Sequence, residues 1–431
     1  MTVHPVVRTG PAVTLPAPFD VTSFATDAVV ACAEAAAMLA DARGLSLAQI
    51  GVDTRAVAAA FSSERHLRID GSGPAAWAEL SGFFATADGW VRLHGNYPQH
   101  AAAVRAALGL PDDAGRAAVT DAAGQLAAVD VETAVVGAGG AAAAYRSEQT
   151  WRASEQGRAS GRFAEFPSDD GPHPLPPATS LPAEGLRVLD LTRVIAGPLA
   201  GRTLALWGAD VLRIDAPDRP ELHAQHVDFD AGKRSALLDL RTAGGAEHFR
   251  TLAAEADVLL LGYRPGALDR LGVGGTALLD AHPHLVVVEL SAWGWDGPWS
   301  QRRGFDSLVQ AACGIAHRCA DASGRPGALP AQALDHTTGY RAAAAVLDAV
   351  RRRPDEGGRL LRLSLLGAGE TLLALREPAG TTGDVEAVDP APHLATSGPL
   401  RYARPPFTLD GIPMDHPFPA RRYGADEPAW L

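Results

Sequence analysis

Four short apolar runs alternate with helix-forming segments between residues 186 and 290, and this alternation restricts the fold more than any other feature. The runs are LRVLDL (186–191), DVLRID (210–215), DVLLL (257–261) and LVVVEL (285–290). Alternating strands and helices predict an α/β fold with a parallel, doubly wound sheet. Ligands of such sheets bind beyond the carboxyl ends of the strands. RVIAGP (193–198) and GYRPGALDRLG (262–272) follow two of the predicted strands, so we expect both segments at a ligand site.

A proline-rich stretch without periodicity, FPSDDGPHPLPPATSLPA at residues 166–183, predicts a linker. It separates an N-terminal domain at residues 1–165 from the predicted α/β domain at residues 184–376. Residues 377–431 are short of periodic apolar positions and rich in proline, so we expect an irregular C-terminal tail.

The N-terminal domain follows a different pattern, with helices predicted at 25–44 and 98–111 and a strand at 88–97. It also contains a faint internal similarity. Residues 29–44 followed by 50–61 resemble residues 340–353 followed by 360–375. Either an internal duplication or a shared richness in alanine explains this similarity, and the sequence alone leaves both interpretations open.

Composition excludes several classes of function. The chain has 431 residues and a formal net charge of −12, which argues against a general nucleic-acid or membrane-surface binder. Lys233 is its only lysine, so an anionic ligand would be bound mainly by arginines and backbone donors. The three cysteines form no disulfide framework and show no metal-ligand spacing, so we expect no metal. The sequence shows no signal peptide and no apolar run long enough to span a membrane, so we expect a cytoplasmic protein.

The segment ALDHTTGYRAAAAVLDAV (333–350) places an acid, Asp335, just ahead of an alanine-rich run that predicts a helix. One interpretation is an N-cap, in which the carboxylate accepts hydrogen bonds from the free N–H groups of the first turn. The other is a nucleophile, because a carboxylate can attack an activated carbonyl and form a covalent intermediate. Taken alone, the segment favours capping.

From about residue 184 to residue 376 the chain resembles the family III CoA-transferases, the group that contains formyl-CoA transferase and carnitine CoA-transferase. The motifs that match, in the family's order, are GLRVLDLTRVIAGPLAGRTLALWGADVLRID, GKRSALLDL, DVLLLGYRPGALDRLG, HPHLVVVELSAWGWDGPWSQRRGFDSLVQAACGIA and ALDHTTGYRAAAAVLDAV. The resemblance implies a Rossmann-like doubly wound domain joined to a second, smaller α+β domain, in a homodimer of interlocked chains. It also implies coenzyme A as co-substrate and a free carboxylic acid as acceptor.

The resemblance further implies roles for individual residues. It makes Asp335 the nucleophile, which forms a mixed anhydride with the acyl group and then an aspartyl-CoA thioester. The residues that it implies for binding coenzyme A are Val194, Ile195, Ala196, Leu238, Tyr263, Ala267, Arg270, Arg303, Phe305 and Asp306. Arg264 and Lys233 are weaker candidates, and Arg219 is a substitute for a phosphate contact that the family places elsewhere.

Two departures from the family pattern concern the site. The family usually has Asn where this chain has Gly262. In the family the small domain follows the nucleophile helix, whereas here the similar pattern lies earlier, at residues 88–111. We therefore expect residues 25–165 to supply the small domain from the N-terminal side. A structure that placed residues 88–165 far from Asp335 would contradict this expectation.

Two alternatives remain beside the transferase. A racemase acting on α-methylacyl-CoA needs a proton-transferring histidine where this chain has Phe305, and a phenyl ring cannot transfer a proton. A CoA-binding paralogue without catalysis is the second alternative, because Gly262 and the rearranged small domain alter the family's site. We expect His336 to be a local hydrogen-bonding residue rather than a base. The acyl group and the acceptor acid cannot be read from the sequence.

Overall fold

The computed structural model describes residues 6–75, 77–159, 161–168, 173–375 and 388–431, and the elements below all lie within them. The strands are β1 (Val7–Thr9), β2 (Ile50–Asp53), β3 (Arg68–Ile69), β4 (Gly82–Ala85), β5 (Trp90–Leu93), β6 (Ala142–Ala144), β7 (Ala164–Pro167), β8 (Arg187–Leu191), β9 (Asp210–Asp215), β10 (Arg234–Leu237), β11 (Val258–Leu261), β12 (Val286–Ser291), β13 (Arg359–Ser364), β14 (Leu394–Ser397), β15 (Leu400–Ala403), β16 (Thr408–Leu409) and β17 (Ile412–Pro413).

The α-helices follow the same chain order. They are α1 (Val21–Ala42), α2 (Thr54–Phe61), α3 (Ser63–His66), α4 (Pro98–Ala107), α5 (Arg116–Ala123), α6 (Ala128–Gly137), α7 (Glu148–Ala153), α8 (Glu155–Arg158), α9 (Ala196–Leu206), α10 (His223–Phe229), α11 (Ala243–Ala254), α12 (Gly275–Ala281), α13 (Asp306–Cys313), α14 (Ile315–Arg318), α15 (Ala333–Glu356) and α16 (Leu365–Ala374). Short 3₁₀ helices span Asp269–Leu271 and Ala391–His393.

Strands β7 to β13 form the central sheet, in the order β10-β9-β8-β11-β12-β13-β7. The pairs from β10 to β13 are parallel, whereas β7 pairs with β13 antiparallel at one edge. The predicted α/β class with a doubly wound parallel sheet is therefore confirmed. The strand order reverses between β8 and β11, which opens a crevice at their carboxyl ends, where ligands of such sheets bind.

Both faces of the central sheet are buried. Val188 and Leu260 belong to a core that includes helices α1, α9 and α15, whereas Leu189 and Leu259 face a second core with α11 and α12. Successive residues of a strand point to opposite faces, so a sheet covered on both sides needs apolar residues at every position. This explains why the strands are apolar at most positions; buried exceptions such as Asp190, Arg213 and Asp215 form ion pairs.

A smaller α+β unit lies within the N-terminal part. Antiparallel strands β4, β5 and β6 form a sheet, and helices α4, α5 and α6 cover it. Its own core contains Phe84, Val91, Val104 and Val131. The strand predicted at 88–97 and the helix predicted at 98–111 are shorter in the structure, as β5 and α4.

The prediction of an irregular C-terminal tail is wrong for residues 394–413, which contain strands β14 to β17, whereas residues 414–431 form no helix or strand. Strand β15 pairs with β3, and β16 pairs with β2. These strands of the tail are ordered because they complete two small sheets that begin in the N-terminal part. The rest of the predicted tail, up to residue 387, lies outside the described residues.

The predicted boundary between residues 165 and 166 falls inside strand β7, which belongs to the central sheet. Described residues after it lie against the N-terminal part, since the Arg43 guanidinium donates to the carbonyl oxygen of Pro182 at 2.7 Å and also contacts that of Pro176. Residues 169–172 of the predicted linker lie outside the described residues.

The two segments with similar sequences have the same order of elements. Helix α1, strand β2 and helix α2 correspond to α15, β13 and α16. This shared order favours internal duplication over alanine bias alone. Helix α1 packs along α15. By length and composition alone α1 is the one described helix that could cross a membrane, but Phe24, Val29 and Leu39 bury it in the core.

Candidate active site

A cavity of about 440 Å³ occupies the crevice between β8 and β11. Segments that follow strands β8 to β13 line it, together with residues 97–100 and the first turns of α15. The two segments expected at a ligand site, 193–198 and 262–272, both contribute to its wall. The carboxyl ends of the strands therefore converge on one space.

The turn after β8 shapes one wall of this cavity. Val194 has a left-handed backbone with φ of 73°, a conformation that a β-branched residue adopts only with strain. Such strain costs roughly 1–3 kcal/mol and persists only where the surroundings impose it. Here the N–H of Val194 donates to Glu221 Oε2 at 3.0 Å, and helix α9 begins two residues later at Ala196. The strained turn is thus fixed by a buried carboxylate.

Glu221 connects this turn to the N-terminal part. The Tyr97 hydroxyl donates to Glu221 Oε1 at 2.6 Å, and the Arg193 guanidinium lies 3.3 Å from Oε2. Burial alone would raise the pKa of Glu221, but Arg193 and then Arg213 hold it below its usual range. The carboxylate therefore stays ionised and holds residues from both parts of the chain.

A buried network of ion pairs, formed by Lys233, Asp190, Asp230 and Arg213, lies next to the cavity wall. Lys233 Nζ lies 2.7 Å from Asp190 Oδ2 and 3.0 Å from Asp230 Oδ1. Arg213 Nη1 in turn lies 2.6 Å from Asp230. Asp190 Oδ1 accepts a hydrogen bond from the N–H of Thr192 at 2.9 Å, which ties the network to the strained turn. Lys233, a weaker candidate for binding coenzyme A, is fully buried in these pairs and lies outside the cavity wall.

Asp335 lies in the first turn of α15, but it does not cap that helix. The N-cap residue is Gln332, whose side chain makes no capping hydrogen bond. Asp306 does the capping instead, because its Oδ2 accepts from the N–H of Leu334 at 2.8 Å and from the N–H of Asp335 at 3.1 Å. The capping interpretation of Asp335 is therefore wrong, and its carboxyl group is not used to bind the N–H groups of the first turn.

The surroundings of Asp335 favour its protonated form. The residue is 6% exposed, and its exposed atoms line the cavity. Burial, and then the charge of the neighbouring Asp306, raise the pKa of Asp335 well above its usual range. Burial also raises the pKa of Asp306, to about 6. Buried carboxyl pairs of this kind cluster at functional sites.

Arginines form a positively charged rim at the cavity. Arg303 is half-buried in the wall, and Arg264 and Arg219 line the wall beside it. Burial lowers the pKa of Arg303, and the charges of Arg264 and Arg219 lower it further. Among the residues that the structure describes, Arg303 has no carboxylate partner. A group of like charges without a counter-ion is suited to an anionic ligand.

Most residues implied for coenzyme A are brought together at Asp335. Those that line the 440 Å³ cavity are Val194, Ala196, Leu238, Tyr263, Ala267, Arg303 and Phe305. Ile195 and Asp306 instead line a smaller neighbouring cavity that Asp335 also reaches. Arg270 lies outside both walls, and its Nε donates to the carbonyl oxygen of Gly266 at 3.5 Å. Gly262 lies against Thr192, where an added Cβ would be 3.3 Å from the Thr192 Cα.

Residues 94–100 contribute to the site although no role is assigned to them in the sequence analysis. Tyr97 and His100 line the larger cavity, and His94 lines the smaller one. The expectation that residues 88–165 lie near Asp335 therefore agrees with this arrangement. The cluster HGNYPQH follows β5, which ends at Leu93 rather than at residue 97 as predicted. A shorter predicted strand would have placed this cluster in a loop, where functional residues are common.

Two histidines lie beside the site, His94 and His336, and neither is placed as a proton donor or acceptor. Phe305 stacks on His94 with ring centroids 3.5 Å apart and planes 4° apart. Burial, and then His100 and Arg92, lower the pKa of His94 to about 3, so its ring is neutral. His336 lies between Phe61 and Phe229, and neither of its ring nitrogens has a hydrogen-bond partner among the described residues. The prediction of a hydrogen-bonding role for His336 is therefore wrong, because apolar rings surround it.

Comparison with known proteins identifies relatives of the α/β part. Residues 183–391 match CoA-transferase family III. The chain is 35% identical over 189 residues to a probable fatty acyl-CoA transferase of Mycobacterium tuberculosis, an alignment that covers 41% of this chain and 48% of the relative. It is 33% identical over 185 residues to formyl-CoA:oxalate CoA-transferase of Streptomyces avermitilis, covering 40% and 45% of the two chains.

A crystal structure of a hypothetical protein from Mycobacterium tuberculosis aligns with a TM-score of 0.43 at 33% identity, over 46% of this chain and 58% of that chain. The chain spans about half the length of the curated relatives that it matches. The similarity in sequence covers most of the cavity wall and the helix that carries Asp335, but not residues 97–100. Residues 183–391 of this chain are therefore similar to CoA-transferase family III.

Proposed function

We propose that this chain is a CoA-transferase, which moves coenzyme A between an acyl-CoA thioester and a free carboxylic acid. The observation that carries the proposal is the position of Asp335, a buried carboxyl group where two cavities meet. Its relatives named CoA-transferases support the same class of enzyme. An acyl-transfer nucleophile needs this access from both the thiol side and the acyl side.

The proposed reaction passes through covalent intermediates on Asp335. Its carboxylate attacks the thioester carbonyl, and the C–S bond breaks to give an aspartyl–acyl anhydride and the CoA thiolate. The thiolate then attacks the aspartyl carbonyl, which releases the acyl group as a free carboxylate and leaves an aspartyl-CoA thioester. An incoming carboxylate reverses both steps and leaves as the new acyl-CoA. Covalent catalysis thus divides one difficult exchange into easier steps.

The larger cavity is the proposed site for coenzyme A. Arg303, Arg264 and Arg219 would pair with its phosphates at the rim, and Leu238 would pack beside the adenine. The pantetheine arm would then run past Phe305 to Asp335. Its thiolate and the developing oxyanion would lie near the N-terminal end of α15, whose dipole favours negative charge.

Trapping with hydroxylamine tests the proposal. The protein is incubated with an acyl-CoA in the presence of hydroxylamine, digested, and examined by mass spectrometry. Hydroxylamine attacks the aspartyl thioester, so the expected product is a hydroxamate on the peptide that contains Asp335. Asp335→Asn should give no hydroxamate, whereas Asp306→Asn keeps the nucleophile and should still be labelled at Asp335. The absence of label in the native protein with every acyl-CoA tried would contradict catalysis and favour the CoA-binding paralogue.

The racemase alternative has less support in this geometry. The position that a racemase needs for a histidine carries Phe305, and the imidazole of His94 stacks flat against that ring. Racemisation would exchange the α-hydrogen of a 2-methylacyl-CoA with deuterium from solvent, while transfer would not need that exchange. A cytoplasmic location and a homodimer, interlocked or not, remain predictions; light scattering of the purified protein measures the oligomeric state directly.

A further inference from the structure

A second cavity, of about 110 Å³, lies on the other side of Asp335. Asp335, Val194 and Phe305 line both cavities, so the two spaces meet at the proposed nucleophile. The N-terminal part supplies one wall of the second cavity with residues between 64 and 96, and helix α10 supplies another. If coenzyme A fills the larger cavity, a thioester carbonyl held at Asp335 directs its acyl group into the smaller one.

The second cavity has mostly apolar walls. Leu67, Pro74, Trp77 and Phe229 line it together with Phe305. Apolar walls favour a ligand group that loses little hydration on entry. His94 adds no charge, because its pKa is lowered to about 3, chiefly by burial.

The ionisable groups of this cavity are all acidic or neutral among the described residues. Its walls contain the carboxyl groups of Glu64, Asp228, Asp306 and Asp335, and no arginine or lysine of the described chain lines it. Ser63 Oγ donates to Asp228 at 2.6 Å. Burial raises the pKa of Glu64 to about 7. A backbone hydrogen bond opposes this shift, and the charge of Asp228 adds to it.

Guanidinium groups close to the second cavity already contact other groups of the protein. Arg202 contacts the backbone carbonyl of Asp228 and lies 3.9 Å from its carboxylate. Arg92 stacks on the Trp77 ring at 4.7 Å. Arg65 and Arg68 line an adjoining polar cavity of about 350 Å³, which shares Glu64 and Trp77 with this one. Arg65 Nε already lies 3.7 Å from Glu64 Oε1. A second carboxylate on the acyl group would therefore enter a small space lined by carboxyl groups, and no cation of the described residues lines its walls to pair with it.

The volume limits the acyl group as well. An apolar cavity of about 150 Å³ binds benzene. At about 110 Å³ the second cavity is smaller than that one, so it suits a short acyl chain.

We propose that the second cavity receives the acyl group, and that it selects short, uncharged acyl chains over acyl groups that carry a second carboxylate. This inference rests on the proposed CoA-transferase function, because it assigns the acyl side of the same nucleophile.

Binding to a variant that cannot react tests the inference separately from turnover. Calorimetry with Asp335→Asn compares 4-oxopentanoyl-CoA with succinyl-CoA, two thioesters that differ only by a methyl group in place of the terminal carboxylate oxygen. We expect 4-oxopentanoyl-CoA to bind at least about tenfold more tightly. Equal affinity, or tighter binding of succinyl-CoA, would overturn the inference even if the native enzyme is an active transferase.

Turnover of the native protein then tests the proposed function by itself. Each thioester is incubated with its own isotopically labelled free acid, and incorporation of label into the thioester is followed. Absence of exchange with every pair would reject the transferase while leaving the binding result to decide the acyl selectivity. Exchange that favours 4-oxopentanoate over succinate by about a hundredfold or more supports both.

The addition of a positive charge to the wall provides a matched pair of variants. Gln225 is half-buried on α10 and lines the second cavity. In the Asp335→Asn background, Gln225→Arg adds the missing cation, so the preference for 4-oxopentanoyl-CoA should fall by about tenfold. Gln225→Met has a similar length without charge and should leave the preference unchanged. If the two variants give the same ratio of affinities, the electrostatic explanation is refuted.

Discussion

Replacing Lys233 with methionine removes the only ammonium side chain of the protein from a fully buried position. Methionine matches the length of the lysine stem, so the change mainly removes charge. Asp230 would keep Arg213 Nη1 at 2.6 Å and His226 Nδ1 at 2.6 Å. Asp190 would lose its only cation among the described residues and keep only the hydroxyl and the N–H of Thr192.

The expected decrease in the free energy of unfolding follows from the loss of the cation beside Asp190. Leaving one buried carboxylate without its cation destabilises a protein by about 3–5 kcal/mol. A typical folded domain is stable by only about 5–15 kcal/mol. Lys233→Met should therefore move the urea midpoint far to lower concentration. Because Asp190 also holds Thr192 in the cavity wall, the variant should bind coenzyme A more weakly even where it is folded.

Equilibrium urea unfolding, followed by circular dichroism, measures this cost. Arg241→Met is the matched control, because Arg241 forms an exposed pair with Asp239 and Asp218, and such pairs contribute about 0–1 kcal/mol. A loss below about 1 kcal/mol for Lys233→Met would refute the reasoning. The sole lysine gives a second readout: an amine-acylating reagent should leave Lys233 of the native protein unlabelled until the protein unfolds.

Three further variants test the site. Asp306→Asn removes the charge that, in addition to burial, raises the pKa of Asp335, so the carboxylate of Asp335 should form at lower pH. The pH at which activity is lost on the acid side of the pH–rate profile should therefore fall by about one unit or more. An unchanged pH–rate profile would contradict this coupling. Gly339→Ala places a Cβ 2.6 Å from the carbonyl oxygen of Ala196, where α15 meets α9; we expect a loss of about 1–3 kcal/mol in urea unfolding, and unchanged stability would mean that the helices can separate freely. Arg303→Ala should raise the KM for acyl-CoA about tenfold with little change in kcat, measured at low salt; a fall in kcat alone would exclude a phosphate-binding role.

The sequence predicted the parts of the site that depend on the sheet. The apolar runs located the parallel strands, and their carboxyl ends located the segments at 193–198 and 262–272. Resemblance to the family pointed to Asp335 and to seven of the residues implied for coenzyme A that line the same cavity. Such positions can be read from the sequence because each depends on a local pattern or on a motif with fixed spacing.

The rest of the site depends on contacts between distant residues, which no local pattern reveals. Asp306 caps α15 across 28 residues of sequence and so frees Asp335 from capping. Tyr97 reaches Glu221 across 124 residues. His336 follows Asp335 directly, yet the helix turns it into an apolar core beside Phe61. The apolar environment of His336 and the acidic second cavity both required the three-dimensional packing.

Strand β7 has a consequence for any attempt to isolate the family III segment. Residues 164–167 precede that segment, yet they supply the last hydrogen-bonded neighbour of β13. Glu165 in this strand also pairs with the buried Arg359 of β13. A fragment beginning at residue 183 would leave β13 as a bare edge, and bare edges promote association between chains. Such a fragment should therefore aggregate. A fragment used to test the proposed transfer reaction should begin upstream of residue 164.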